Sequence, residues 1–199
     1  MKDRTLITIT RQYGSGGKEI SRILTEKLGI RCYDRKIVSM AAEHIHECAN
    51  IDDLLDRSYN SPENCLGNIG DYAYERVPAH NRMYIEQAKI LLKIAERESA
   101  VFVGRCADFI LRDQPHVYSF FIYASDEFRT QRAKTHYGEQ SLKEMEADDK
   151  IRKRYYEYYT GQKWGDPRNY DLMINVSKIS LETAADMIIK YINLRQEQE

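Results

Sequence analysis

Leu6-Ile7-Thr8-Ile9-Thr10 runs almost directly into Tyr13-Gly14-Ser15-Gly16-Gly17-Lys18, and apolar residues then recur at helical spacing at Ile20, Ile23, Leu24 and Leu28. That is a β-branched strand, a glycine-rich turn and an amphipathic helix in immediate succession. Strand-like and helix-like segments go on alternating along the rest of the chain, which predicts a parallel sheet with helices on both faces. Ile30-Arg31-Cys32-Tyr33 reads as a short second strand ending at Asp34, followed by a helix from about Arg35 to Cys48. From Asn50 to about Pro78 the period is lost and Pro62, Gly67 and Gly70 intervene, so this stretch reads as a mobile insert with short helical pieces. A helix over about Asn81 to Arg97 carries Ile85, Ala88, Leu91, Leu92 and Ala95 along one stripe. Ala100–Gly104, Val117–Ile122 and Leu172–Asn175 read as three more strands. A charged helical region from about Asp126 to Thr160 breaks near Tyr137-Gly138, a loop covers Gly161 to Asn169, and a helix from Leu181 to about Leu194 closes the chain.

The glycine turn has a chemical meaning in this setting. Glycines let the backbone fold back so that several N–H groups face one anion, the helix start adds its positive dipole end, and Lys18 adds a full charge. The stretch follows the phosphate-loop pattern G-x-x-x-x-G-K-[ST] only in part. Gly17-Lys18 fill the G-K positions, Gln12 stands in place of the first glycine, and Glu19 stands where a hydroxyl would hold Mg²⁺. A carboxylate there repels phosphate unless a metal intervenes or the side chain turns away. Either Mg²⁺ is held differently, or Ser15 or a more distant acid contributes, or catalysis is impaired.

With 199 residues the chain suits one α/β domain, and a net charge of -1 gives no global nucleic-acid or membrane footprint. Cys32, Cys48, Cys65 and Cys106 show no metal-ligand spacing, and His44 and His46 near Cys48 read as a polar helix face. Met1 to Thr5 leads straight into the first strand and no apolar run reaches about 20 residues, so the expectation is a reduced, cytoplasmic, soluble protein.

Ligands of open parallel sheets bind beyond the carboxyl ends of the strands. That rule selects the glycine loop, Tyr33-Asp34-Arg35, Gly104-Arg105-Cys106-Ala107-Asp108 and Tyr123-Ala124-Ser125-Asp126. An arginine directly after a strand and a glycine suits phosphate, which its forked donors grip in pairs. Asp34 is suited to orienting a hydroxyl and equally to capping the helix behind it. Arg129 and Arg132 lie one helical turn apart, and Lys150, Arg152, Lys153 and Arg154 follow. Cations of this kind on a closing lid stabilise a migrating phosphoryl group, and a solvated helix face is the competing reading because acids are interspersed. Tyr155-Tyr156-Glu157-Tyr158-Tyr159 is open to three uses: packing under the lid, stacking on a base, or a homodimer interface.

With these pieces assembled, the chain resembles the cytidylate kinase-like family of P-loop proteins, relatives of the nucleoside monophosphate kinases. The resemblance rests on Arg11 to Ile20, Tyr33-Asp34, Val103 to Asp108, Asp149-Lys150-Ile151-Arg152 and Tyr170 to Asn175. It implies a three-layer α/β/α fold of the P-loop NTPase type, with a five-stranded parallel sheet in one domain over 1–199. It further implies a helical acceptor-binding insert at about 50–80 and a lid at about 126–165. ATP and Mg²⁺ are the implied cofactors, with Gly14, Ser15, Gly16, Gly17, Lys18 and Glu19 around the nucleotide phosphates. Arg105, Asp34, Asp108, Asp149 and Arg152 are the implied acceptor contacts, and Arg129 and Arg132 resemble arginines that steady the transferring phosphate. Cys106 stands where cytidylate kinases carry an Asp after Gly-Arg, which leaves the acceptor open. The expected activity is ATP-dependent phosphoryl transfer to a nucleoside monophosphate such as CMP or dCMP. A kinase for a non-nucleotide metabolite and a nucleotide-binding sensor with little catalysis are the alternatives. No nucleic-acid or membrane partner is expected.

Overall fold

The computed structural model describes residues 4–35, 37, 39–40, 79–136, 138 and 140–198. Five strands, β1 (Leu6–Arg11), β2 (Arg31–Tyr33), β3 (Ala100–Val103), β4 (Val117–Tyr123) and β5 (Leu172–Asn175), form one sheet in the order β2-β3-β1-β4-β5. Every pairing is parallel: Leu6 lies opposite Ala100 on one side and Val117 on the other, Tyr33 opposite Phe102, and Phe120 opposite Leu172. Parallel strands covered on both faces are buried on both, and β1 is so from Leu6 to Thr10, with Thr8 and Thr10 buried beside its apolar residues.

Side-chain alternation divides the core in two. Ile7, Ile9, Val101, Val103, Phe120 and Ile122 lie under α1 (Gly17–Leu28) and α6 (Leu181–Gln198), against Ile20, Leu24, Ala184, Ile188 and Ile192. Leu6, Ala100 and Phe102 lie under α2 (Ala79–Ala95) and the single turn α3 (Ala107–Ile110), against Met83, Ile90, Leu91 and Leu111. Each of these fully buried Leu, Ile or Phe side chains contributes about 1.5–3 kcal/mol. The α2 stripe is rotated from the sequence expectation: Met83, Ile90, Leu91, Ile94 and Ala95 are buried, while Ile85, Ala88 and Leu92 are only partly so. Gln87 and Glu86 share the buried face, so apolar spacing alone misplaced its centre.

The charged region divides as expected, into α4 (Asp126–His136) and α5 (Leu142–Thr160), with Gly138 at positive φ between them. Ser141 caps α5 in a reciprocal capping box with Glu144, a device worth about 1 kcal/mol. Tyr155 and Tyr156 of α5 pack against Cys106, flanked by Tyr84, Tyr159 and Trp164. Tyr155 and Tyr156 of the run therefore pack inward. The Asn50–Pro78 insert, the helix beyond residue 40, and His44, His46, Cys48 and Cys65 lie outside the described residues.

Candidate active site

The loop between β1 and α1 is pinned from below. The Gln12 amide donates to Ile122 O at 3.0 Å, and its side-chain Oε1 accepts from the Ala124 amide at 3.2 Å. Gln12, in the place of the first glycine of the pattern, therefore ties the loop to the end of β4. The Ser15 hydroxyl donates inward to Gln12 O at 2.9 Å and to Ile122 O at 3.3 Å. Gly14 and Gly16 take positive φ, and Gly16 gives way directly to α1. Lys18 is exposed in the first turn of α1 and makes no ion pair with another described residue.

Arg11, the last residue of β1, is a site residue that the sequence reading left without a role of its own. Its Cβ and Cγ lie 2.7 and 2.9 Å from where a Cβ on Gly17 would stand, and its Nη1 lies 2.3 Å from the corresponding point on Gly104. Its Nη2 lies 4.0 Å from Asp34 Oδ1, so one guanidinium spans the ends of β1, β3 and β2. A Cβ at Gly104 would displace that guanidinium from its place. Gly104, Arg105 and Cys106 then follow one another at φ 70°, 59° and 54°. Two non-glycine residues in the left-handed region store on the order of 1–3 kcal/mol each, strain of a kind that concentrates at functional sites. The turn sets Arg105 on the rim and starts α3 through Ala107 N–H to Gly104 O.

Helices α4 and α5 grip the loop at Tyr13. The Tyr13 amide donates to Asp149 Oδ1 at 2.7 Å, and its carbonyl accepts from Arg129 Nε at 2.7 Å. Arg129 Nη2 donates to Asp149 Oδ2 at 2.6 Å, Nη1 lies 3.5 Å from Asp126, and the residue is 3% exposed. Arg152 sits 4.9 Å over the Tyr13 ring and donates to Arg11 O at 3.4 Å. Arg129 lies off the solvated face, with Nε on the loop and Nη1 and Nη2 toward acids of α4 and α5. Asp149 accepts from the loop amide and from Arg129 in the same clamp. Asp108 leaves the rim for the interior, 5% exposed, where it accepts from the Tyr156 hydroxyl at 2.7 Å. Burial pushes its carboxyl up to about 6 against the opposing pull of the Tyr156 hydroxyl and nearby amides.

Arg132 reaches back from α4 to Glu19 on α1, Nη2 to Oε1 at 2.8 Å. The carboxylate in the metal-hydroxyl position is thus held by a cation of α4. Among the described residues no group of three His, Cys, Asp or Glu is placed to hold a metal alone.

A glycine loop with its lysine after the central strand, in a sheet of order 2-3-1-4-5, defines a P-loop kinase fold. Solved structures share it. An uncharacterized protein from Eubacterium ventriosum ATCC 27560 is 32% identical with TM-score 0.73, over 96% of this chain and 98% of that chain. A gluconokinase from Sinorhizobium meliloti 1021 is 13% identical with TM-score 0.59, over 100% and 99%. A shikimate kinase from Acinetobacter baumannii in complex with shikimate is 14% identical with TM-score 0.55, over 96% and 94%. The chain belongs to the cytidylate kinase-like family, which it matches over residues 6–178. No curated protein matches it.

Proposed function

We propose that the chain transfers the terminal phosphoryl group of ATP to a nucleoside monophosphate of the CMP or dCMP kind. The observation that carries the reading is Lys18, an exposed ammonium in the first turn of α1, set in a loop whose serine and glutamine side chains are turned into the protein. Backbone amides and Lys18 would face the ATP phosphates, and Arg105, Arg152 and Arg132 would surround the group in transit. An acceptor phosphate is already ionised at pH 7, so the residues need only position it and neutralise charge spread over the phosphoryl oxygens. Mg²⁺, when bound with the nucleotide, would supply positive charge to its phosphates. An ion held mainly by phosphate oxygens, water and one or two carboxylates fits a site without a protein cage of its own.

A second reading, transfer to a hydroxylated metabolite, is favoured by Asp34, whose carboxylate stands at the end of β2 beside Arg11. There it would take the hydroxyl proton. ADP release across CMP, dCMP, UMP, AMP, GMP and a metabolite panel separates the two. A preference for CMP or dCMP that survives Asp34→Asn supports the first reading, and loss of a hydroxyl acceptor on Asp34→Asn supports the second. Lys18→Met should lower turnover on the order of 10²-fold or more with the fold intact, since a positioned charge is removed. Normal turnover in that variant would refute the phosphate-loop assignment.

A further inference from the structure

Glu19 and Arg132 form a pair that faces two ways. Glu19 sits next to Lys18 in the first turn of α1, where a hydroxyl would hold Mg²⁺ in the phosphate-loop pattern, and its side chain is 28% exposed. Arg132 lies on the lid helix α4, one turn beyond Arg129, whose Nε fixes that helix to the loop carbonyl of Tyr13. The Arg132 side chain is only 14% exposed, and its buried Nε has no acceptor among the described residues. A buried donor left without an acceptor is costly. Its guanidinium is therefore anchored beside the loop with one arm on a carboxylate and another still unsatisfied. Guanidinium is built to take phosphate oxygens in pairs.

We infer that the Glu19 carboxylate is an internal stand-in for phosphate at Arg132, and that the two exchange partners when ATP and Mg²⁺ bind. Glu19 passes to the metal ion, and Arg132 passes to phosphate oxygens, which also satisfy its Nε. Each charge keeps an opposite charge throughout, so neither is stranded in the partly dry cleft. Without Mg²⁺, ATP must displace Glu19 from Arg132 and leave a carboxylate facing the phosphates. The loop is thereby selective for the metal complex over the free nucleotide. This rests on the ATP-site reading above and adds to it the control of that site.

Calorimetric titration of the full chain with ATP, with and without Mg²⁺, tests it without reference to turnover. In the parent, Mg²⁺ should tighten ATP binding by about tenfold or more, the scale of one charge-assisted contact. Glu19→Gln should bind metal-free ATP about tenfold more tightly than the parent and lose most of the Mg²⁺ gain. Arg132→Met should weaken ATP–Mg²⁺ binding, and Glu19→Gln on that background should tighten metal-free ATP less than it does in the parent, because only the repulsion between carboxylate and phosphate is then relieved. Metal-free binding unchanged by Glu19→Gln, or the full Mg²⁺ gain retained in it, overturns the exchange while leaving the ATP site standing. No ATP binding by the parent under any condition overturns the ATP site and the exchange together.

Discussion

Asp108 is set in the interior, 5% exposed. Its carboxyl, raised by burial to about 6, lies well above the ordinary range near 3.9. Between those values the folded chain holds a proton that the unfolded chain has released, so this group costs stability as pH rises from about 4 to 6. The cost is complete above about 6 and absent below about 4. Asp108→Asn removes the ionisation. Relative to the parent, the variant should gain up to about 3 kcal/mol between pH 4 and pH 7 in urea denaturation. A pH-independent difference would show that the buried carboxylate is fully compensated. The position of Lys18, exposed in the first turn of α1, was legible from its neighbours alone, because Gly-Gly after a strand marks where the helix begins. Arg11, Gln12 and Asp108 were not, because their roles depend on which strand ends lie beside them: β3 and β2 for Arg11, β4 for Gln12, and the underside of α5 for Asp108.

The pair α4 and α5 behaves as one hairpin hooked to the phosphate loop. Both backbone groups of Tyr13 are taken by side chains 116 and 136 positions away, and those two side chains bond each other. Asp149→Ala leaves the Arg129 guanidinium buried without its strongest partner, and breaking a buried pair in this way costs about 3–5 kcal/mol. The expected result is a lower denaturation midpoint together with faster hydrogen exchange at the Tyr13 amide. A lower midpoint with unchanged exchange at Tyr13 would mean that the hairpin is stabilised elsewhere. Helix positions and the break at Gly138 could be read from period and punctuation. The inward face of Arg129 could not, since Asp126, Glu127 and Lys134 surround it with the composition of a solvated surface.

For the whole molecule, alternation of strand and helix was enough to give the α/β class and the convergence of strand ends on one rim. The order 2-3-1-4-5 was not legible from periodicity, which fixes what a strand is and not which strand it meets. If the rim binds ATP as proposed, the nucleotide at about 100 times its Kd should add roughly 2.7 kcal/mol and raise Tm by about 5–10 °C. Lys18→Met should erase most of that shift in a thermal melt. The same strand order has a bearing on biosynthesis. Leu6 pairs with Ala100 on one side and Val117 on the other, so β1 leaves the ribosome some 94 positions before either neighbour exists. At about 5–20 residues per second, its apolar edge waits roughly 5–20 s without a partner. For that interval the nascent chain displays a sticky, β-branched segment, the kind of sequence that holding chaperones retain until the middle of the sheet can close around it.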